Sequence, residues 1–318
     1  MAELTTVKML CHWDSGTGLC RTWDKMTDGN FTYTRDNASI KMVGDETPPD
    51  DADYILVVNL AGNSWYPSMD ELPRVIFMKM EPSFMDPFWR DVDRQLLKAK
   101  IVHGSDHDDT NFNNLEWHIN KTRNELLASD YSDLKTKGDV VSSVISGKAF
   151  TDGHRLRTAF ALHAQNFIDW DAYGNYGAHN HAWNRYLGAP QYKDDALIPY
   201  KYSFACENSF INGYITEKLV DCIMSETLCF YCGAPNVSKF IDPEAYIQLD
   251  MRKEAGTWDT TCATTIKTMK DAIANGEWEK RLPSIKKAKH KILTEISMFP
   301  RLWDVIYGPE RKKTVKTL

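Results

Sequence analysis

The sequence of 318 residues has no uninterrupted apolar run of about 18–20 residues, so no transmembrane helix is expected. It has no excess of positive charge. Its 38 Lys and Arg against 44 Asp and Glu leave a net charge of −6, and the basic surface of a general nucleic-acid binder is missing. Its first residues, MAELTTVKMLCHWDSG, lack the layout of a secretory signal. No G-x-G-x-x-G follows the first strand-like stretch, Thr6–His12, so the dinucleotide fingerprint is absent too. An even cysteine count is also lacking: Cys11, Cys20, Cys206, Cys222, Cys229, Cys232 and Cys262 make seven. Free thiols in a reducing compartment are the expectation. Cys229-x-x-Cys232 looks like half of a redox or zinc motif, but it falls in a strand-like run where its two thiols would face opposite ways, which favours packing. The sequons at Asn30, Asn37, Asn120 and Asn236, with no secretory signal before them, are read as chance.

What is present is ordinary globular material, 42% hydrophobic and 26% charged, and long enough for two domains. Strand and helix patterns alternate. Asp53–Val58 and Arg74–Met80 are apolar runs suited to a buried parallel sheet, Ile101-Val102 is a shorter one, and helical patterning is read over 87–98 and 121–128. The loop that follows Thr6–His12, with Gly16 and Gly18, reads as turn-rich, and Pro48-Pro49-Asp50-Asp51 is a turn cluster leading into Asp53. A polar break at 129–139 marks a linker, which divides the chain into residues 1–137 and 138–318. Beyond it come a strand at Val140–Ile145, a helix from about His154, a strand at Ile168–Tyr173 and a loop-like stretch from Ala178 to Lys201. Helices at Thr260–Ala274 and Glu277–Ser297, the latter stopped by Pro300, complete the pattern.

Residues 201–249 carry the most chemistry. Lys201–Cys206 suits a buried strand, Glu207 to Gly213 a polar turn, the residues from about Ile215 a helix, and Leu228–Cys232 a second strand. Two strands joined by a helix form a parallel crossover, and ligands bind beyond the carboxyl ends of its strands. The first helical turn, Thr216-Glu217-Lys218, stands there. A helix N-terminus attracts phosphate and Lys218 adds a full charge, while Glu217 can accept from a ribose diol and Tyr214 can donate to a phosphate oxygen. The plain alternative is a pair of solvated first-turn charges.

The order of residues is more specific than the pair. CENSFINGYITEKL, residues 206–219, resembles the signature F-E-N-S-x-x-x-x-Y-x-T-E-K-L of the α1,3/4-fucosyltransferases, with Cys206 in place of the usual Phe. The resemblance extends through CFYCGAP to Phe240, Pro243 and Tyr246–Leu249. It implies an α/β protein of two Rossmann-like, doubly wound domains facing a cleft, the B-type glycosyltransferase fold, with an acceptor-binding first domain and a donor-binding second, and in proteins of this build the C-terminal helices often cross back onto the first domain. It implies inverting transfer of L-fucose from GDP-fucose to a hydroxyl of a glycan or glycoprotein acceptor.

Three further segments are similar to family segments. Met80-Glu81-Pro82-Ser83 is similar to the one carrying the proposed catalytic base. Glu81 ends a buried strand, where partial desolvation suits a carboxylate to take a proton; a capping or solvated Glu is the alternative. The run strand, loop, R-x-x-F helix, strand, Tyr-Gly points to Arg157 as the diphosphate contact, with Arg155 as runner-up. Phe112–Ile119 resembles a segment bordering the acceptor, which makes Asn113, Trp117 and His118 candidates for sugar contact; a buried Trp and a helix cap are the alternatives.

The donor set is therefore Arg157, Arg155, Glu207, Asn208, Tyr214, Thr216, Glu217 and Lys218. No metal or other cofactor is required, because cationic side chains and a helix end meet the diphosphate. The loop from His103 to Asp109 has the residue types for Mn²⁺, but the D-x-D pattern of Asp106 and Asp108 recurs at Asp51 and Asp169, and a solvated turn is the default. A soluble, cytoplasmic chain is expected; the Golgi anchor of animal and plant relatives would have to have been trimmed away. Two rival readings stand beside this one: a glycosyltransferase of the same fold using a UDP-sugar or another GDP-sugar, and a non-catalytic glycan- or nucleotide-binding module.

Overall fold

The computed structural model describes residues 3–59, 68, 70, 72–80, 96, 101–104, 115–175, 181–251 and 258–308. The chain divides into two units. Residues 1–116, 121–128 and 292–318 form one, and residues 117–120 and 129–291 form the other.

The first unit is built on strands β1 (Glu3–Cys11), β2 (Thr32–Arg35), β3 (Ala38–Val43), β4 (Tyr54–Val58), β5 (Val75–Lys79) and β6 (Ile101–Gly104). They pair in the order β2-β3-β1-β4-β5-β6, parallel except for the β2–β3 hairpin. The runs at 55–58 and 75–78 are apolar because both faces of these central strands are covered, and Lys79, at the end of β5, is buried as well. Ile55, Val57, Val75 and Phe77 pack with Leu10, Leu72 and Leu96.

One element here differs from the sequence reading, and a second falls where that reading assigns none. The turn-rich stretch holds helix α1 (Gly16–Trp23), capped by the Ser15 hydroxyl, which accepts from the Gly18 N–H at 2.9 Å. A Cβ on Gly16 would stand 2.3 Å from the Met9 carbonyl oxygen, so the glycine that reads as a loop marker serves close approach of helix to strand. The β2–β3 hairpin turns at Asp36, whose φ of 53° an Asp tolerates. Helix α2 (Arg123–Ala128) agrees with the helical patterning read there.

The second unit has six parallel strands, β7 (Val141–Val144), β8 (Trp170–Tyr173), β9 (Tyr186–Gly188), β10 (Tyr202–Cys206), β11 (Leu228–Cys232) and β12 (Tyr246–Gln248). Their order is β12-β11-β10-β7-β8-β9. Helix α3 (Asp152–Ala164) connects β7 to β8, α4 (Lys193–Leu197) precedes β10, and α5 (Glu217–Met224) joins β10 to β11. The stretch read as loop from Ala178 to Lys201 thus contains β9 and α4, elements of three and five residues that are too short to show a period. Helices α6 (Trp258–Ala274) and α7 (Glu277–Lys291) follow.

Sequence patterning predicts one helix from Glu277 to Ser297. Instead α7 gives way to a π turn at Ile292–Ile296 and then to α8 (Met298–Tyr307). Pro300 does not stop a helix here. It occupies the first turn of α8, where a missing N–H costs nothing. In the first unit α8 lies against β1 and β3: the Tyr307 hydroxyl donates to Thr5 Oγ1 at 2.6 Å and to the Ser39 carbonyl at 3.0 Å. No helix among the described residues is long and apolar enough to cross a membrane.

Candidate functional site

β10 lies between β7 and β11. From β7 the sheet extends one way through β8 and β9, and from β10 it extends the other way through β11 and β12. The loops leaving the carboxyl ends of β7 and β10 therefore part, and open α/β sheets bind ligands at such a switch point. Ser146 follows β7, and Glu207 and Asn208 follow β10.

α3 brings Arg157 to this point. The side chain is buried, with Nη1 donating to Asn208 Oδ1 at 2.8 Å and Nη2 donating to Ser146 Oγ at 3.1 Å. One guanidinium thus joins both loops, with the planar fork geometry that suits oxyanions. Gly153, in the first turn of α3, makes the approach possible: a Cβ there would stand 2.3 Å from the Glu207 carbonyl oxygen and 2.6 Å from that of Asn208. Thr151 caps the helix, and its hydroxyl lies 2.6 Å from His154 Nδ1. Burial, together with the positive charges of Arg157 and Lys218, pushes the His154 imidazole down to about 4. Arg155 faces elsewhere. It is exposed and bonds to the Ala149 carbonyl and to Asp152.

The first turn of α5 is organised by Glu207, whose side chain has no exposed surface. Its Oε1 accepts from the Thr216 N–H at 2.9 Å, and its Oε2 accepts from the Thr216 hydroxyl at 2.7 Å and from Lys218 Nζ at 3.1 Å. Glu207 therefore sits behind the site and fixes Thr216 and Lys218, while Thr216 caps the helix. The helix end that reads as open to an anion is in part satisfied from within, and what it presents is the side chains of Lys218, 19% exposed, and Glu217, 20% exposed. These two are 3.4 Å apart. Burial opposes charge on both, but the neighbouring charges prevail. Glu207 and Glu217 hold Lys218 above the usual lysine value, while Lys218, Lys193 and His118 hold Glu217 below the usual carboxylate range.

One turn further along α5, Asp221 is buried. Its Oδ1 accepts from the backbone N–H of His118 at 2.6 Å and of Ile119 at 3.3 Å, and its Oδ2 accepts from Lys193 Nζ at 2.7 Å. Lys193 Nζ is also 3.9 Å from Glu217 Oε1. Lys193, Asp221 and His154 are the members of this constellation that sequence reasoning missed. The only local signal for any of them is the spacing of Glu217 and Asp221, four residues apart and hence on one helix face.

Tyr214 is buried beside this turn. Trp117 is fully buried, so its ring belongs to the core, whereas His118 is exposed. Glu81, Asn113 and the segment Asp106–Asp109 lie outside the described residues. Among the described residues no group of three or more His, Cys, Asp or Glu side chains stands close enough to hold a metal ion. All seven cysteines are free and buried. Cys206 and Cys232 are register partners on adjacent strands, and Cys229 turns to Cys222, so the two thiols of the C-x-x-C run face different neighbours. At the carboxyl ends of β11 and β12 an open cavity of about 350 Å³ is lined by Phe210, Gly233, Pro235, Pro243, Tyr246 and Asp250, among others.

Residues 134–270 match the family model described as glycosyltransferase family 10 (fucosyltransferase), C-terminal. An alpha-(1,3)-fucosyltransferase of Helicobacter pylori is 35% identical over 57 residues, which is 18% of this chain and 12% of that protein. An alpha-(1,4)-fucosyltransferase of Arabidopsis thaliana is 24% identical over 145 residues, 42% of this chain and 33% of that one. The chain thus spans a third or less of the curated relatives it matches. A crystal structure of an alpha1,3-fucosyltransferase superposes with a TM-score of 0.51 at 17% identity, covering 93% of this chain and 91% of the other. An alpha-glucosyltransferase in complex with UDP and DNA superposes with a TM-score of 0.54 at 9% identity, covering 99% and 100%. At such identities the two superpositions speak to fold: two parallel-sheet α/β units, the architecture of B-type glycosyltransferases.

Proposed function

We propose, from the match of residues 134–270 to the glycosyltransferase family 10 (fucosyltransferase) C-terminal model, that the chain transfers L-fucose from GDP-fucose to a hydroxyl of a glycan acceptor with inversion at the transferred carbon. The observation that carries the donor reading is the pairing of Arg157 with Asn208 at the sheet's switch point, beside the Glu207-anchored Lys218.

In this scheme the diphosphate lies against the Arg157 guanidinium, Lys218 and Tyr214, and Glu217 accepts from the ribose hydroxyls. The acceptor oxygen gives its proton to Glu81 and attacks the anomeric carbon. The bond from that carbon to the β-phosphate oxygen breaks, and its electron pair leaves with GDP. Negative charge growing on the β-phosphate is met by Arg157 and Lys218, fixed in advance by Asn208, Ser146 and Glu207, and such preorganised donors favour the transition state over the ground state. The assignment of Glu81 rests on its motif alone, and Asn113 and His118 are proposed on the same footing as acceptor contacts.

The test is a thermal-shift panel of nucleotide sugars followed by measurement of free nucleotide release. Stabilisation by GDP and GDP-fucose, with GDP released when a glycan acceptor is added, is expected. Stabilisation by UDP-sugars but not by GDP or GDP-fucose would sink the fucosyl reading.

A further inference from the structure

Lys193 lies outside the motif around Glu217 and outside the scheme above, yet it is built into the same cluster. It sits at the first position of α4, with its Nζ 2.7 Å from Asp221 Oδ2 and 3.9 Å from Glu217 Oε1. Lys218 Nζ approaches the same Glu217 oxygen at 3.4 Å. Two ammonium groups therefore bracket Glu217 Oε1 from α4 and from α5 itself. Asp221, in turn, is locked by the backbone N–H groups of His118 and Ile119, so the lysine it holds cannot drift. A flexible carboxylate in a helix's first turn samples several rotamers; one gripped at a single oxygen presents its second oxygen in a fixed direction.

We infer that Lys193 is the positioning residue for Glu217, orienting that carboxylate toward the ribose hydroxyls of the bound nucleoside diphosphate. The inference rests on the donor reading above, in which Glu217 accepts from the ribose. It assigns Lys193 no contact with the donor and no part in the chemical step.

The charge on Lys193 and the fork of contacts it makes are both needed. Removing it leaves Asp221 buried without its cation and takes away one of the two ammonium groups beside Glu217 Oε1. An Arg at 193 keeps the charge and reaches both carboxylates, so it should restore what Met removes.

The experiment compares GDP with 2′,3′-dideoxy-GDP by calorimetry on the full chain. A ribose hydroxyl bonded to an ionised, fixed carboxylate makes wild type prefer GDP by about tenfold to a hundredfold. Lys193→Met is expected to weaken GDP binding while leaving dideoxy-GDP binding within about twofold, collapsing the preference, and Lys193→Arg is expected to restore it. A structural defect alone would weaken both ligands together. Because Lys193→Met strands the buried Asp221, the double variant Lys193→Met/Asp221→Asn is measured alongside, with the same collapse expected. A wild type that prefers GDP together with variants that keep the full preference overturns the inference and leaves the donor reading standing. A wild type that binds GDP and dideoxy-GDP alike, or binds neither, overturns both.

Discussion

Lys218 Nζ stands 3.1 Å from Oε2 of Glu207, a carboxylate with no exposed surface that also binds both the amide and the hydroxyl of Thr216. The lysine proposed to meet phosphate is held by a buried counter-ion, so it is oriented before any ligand arrives.

Breaking that pair from either side should be costly. Glu207→Gln strands Lys218, and Lys218→Met strands a fully buried charge; each is expected to lower stability by about 3 kcal/mol. The double variant, with neither charge, should recover most of the loss, as urea unfolding of the four proteins would reveal. Additive losses would mean that the two groups do not act as a pair. Lys218→Met should also weaken GDP at least tenfold by calorimetry.

The two arginines of α3 should separate cleanly. Arg157 uses both Nη groups, on Asn208 and Ser146, so Arg157→Lys loses the fork and should weaken GDP by tenfold or more. Arg155 pairs with the exposed Asp152, and such surface pairs contribute little, so Arg155→Ala should leave affinity within about twofold. Equal effects in a titration of the two variants would remove Arg157 from the anion site.

Gly153→Ala probes the contact between α3 and the loop after β10. Its Cβ would need the space 2.3 Å from the Glu207 carbonyl oxygen, so the loop must withdraw and Arg157 must let go of Asn208. A loss of about 1–3 kcal/mol is expected in thermal unfolding, together with weaker GDP binding. Unchanged binding would show that the Arg157–Asn208 bond is dispensable.

The neutral His154 makes stability depend on pH. Its folded value of about 4 lies below the ordinary 6.5, so between these the unfolded chain binds the extra proton. The stabilising contribution is complete above pH 6.5 and is lost as pH falls toward 4, by about 1–3 kcal/mol in all. His154→Gln keeps a hydrogen-bonding group in the capping box and should lack this slope. Parallel stability curves for the two proteins across that window would refute the assignment.

Much of this was legible in the sequence where the signal is local. The apolar runs at 55–58 and 75–78 and the strand–turn–helix of residues 201–224 emerged where hydrophobic periodicity and turn residues place them. The same motif singled out Glu207 with Glu217 and Lys218, but could not say that one carboxylate is buried and structural while the other faces outward. Burial is set by Tyr231 and Cys232 on the neighbouring strand and by Gly233 just past it; the resemblance covers these residues, but nothing in their order announces that they pack on Glu207. Lys193 and the backbone of His118 meet Asp221 across 28 and 103 residues of sequence, and no pattern of spacing announces such a contact. α1 was hidden for the opposite reason: Gly16 and Gly18 speak for a turn, and only the proximity of Met9 explains why one of them belongs in a helix.

The route of the chain between its two units sets a limit on how it can be divided. It passes from one to the other after Glu116, Asn120, Ala128 and Lys291, and the short piece between the first two crossings supplies the amides that Asp221 binds. A fragment running from Ser129 to Lys291 would look like a free-standing half by length and sheet content. It would nevertheless carry Asp221 into solution without the amides that complete its coordination, beside the residues proposed to bind the nucleotide. Shuffling such halves between related chains would have to move residues 117–120 as well, so the unit of exchange is a set of segments and not a single stretch of polypeptide.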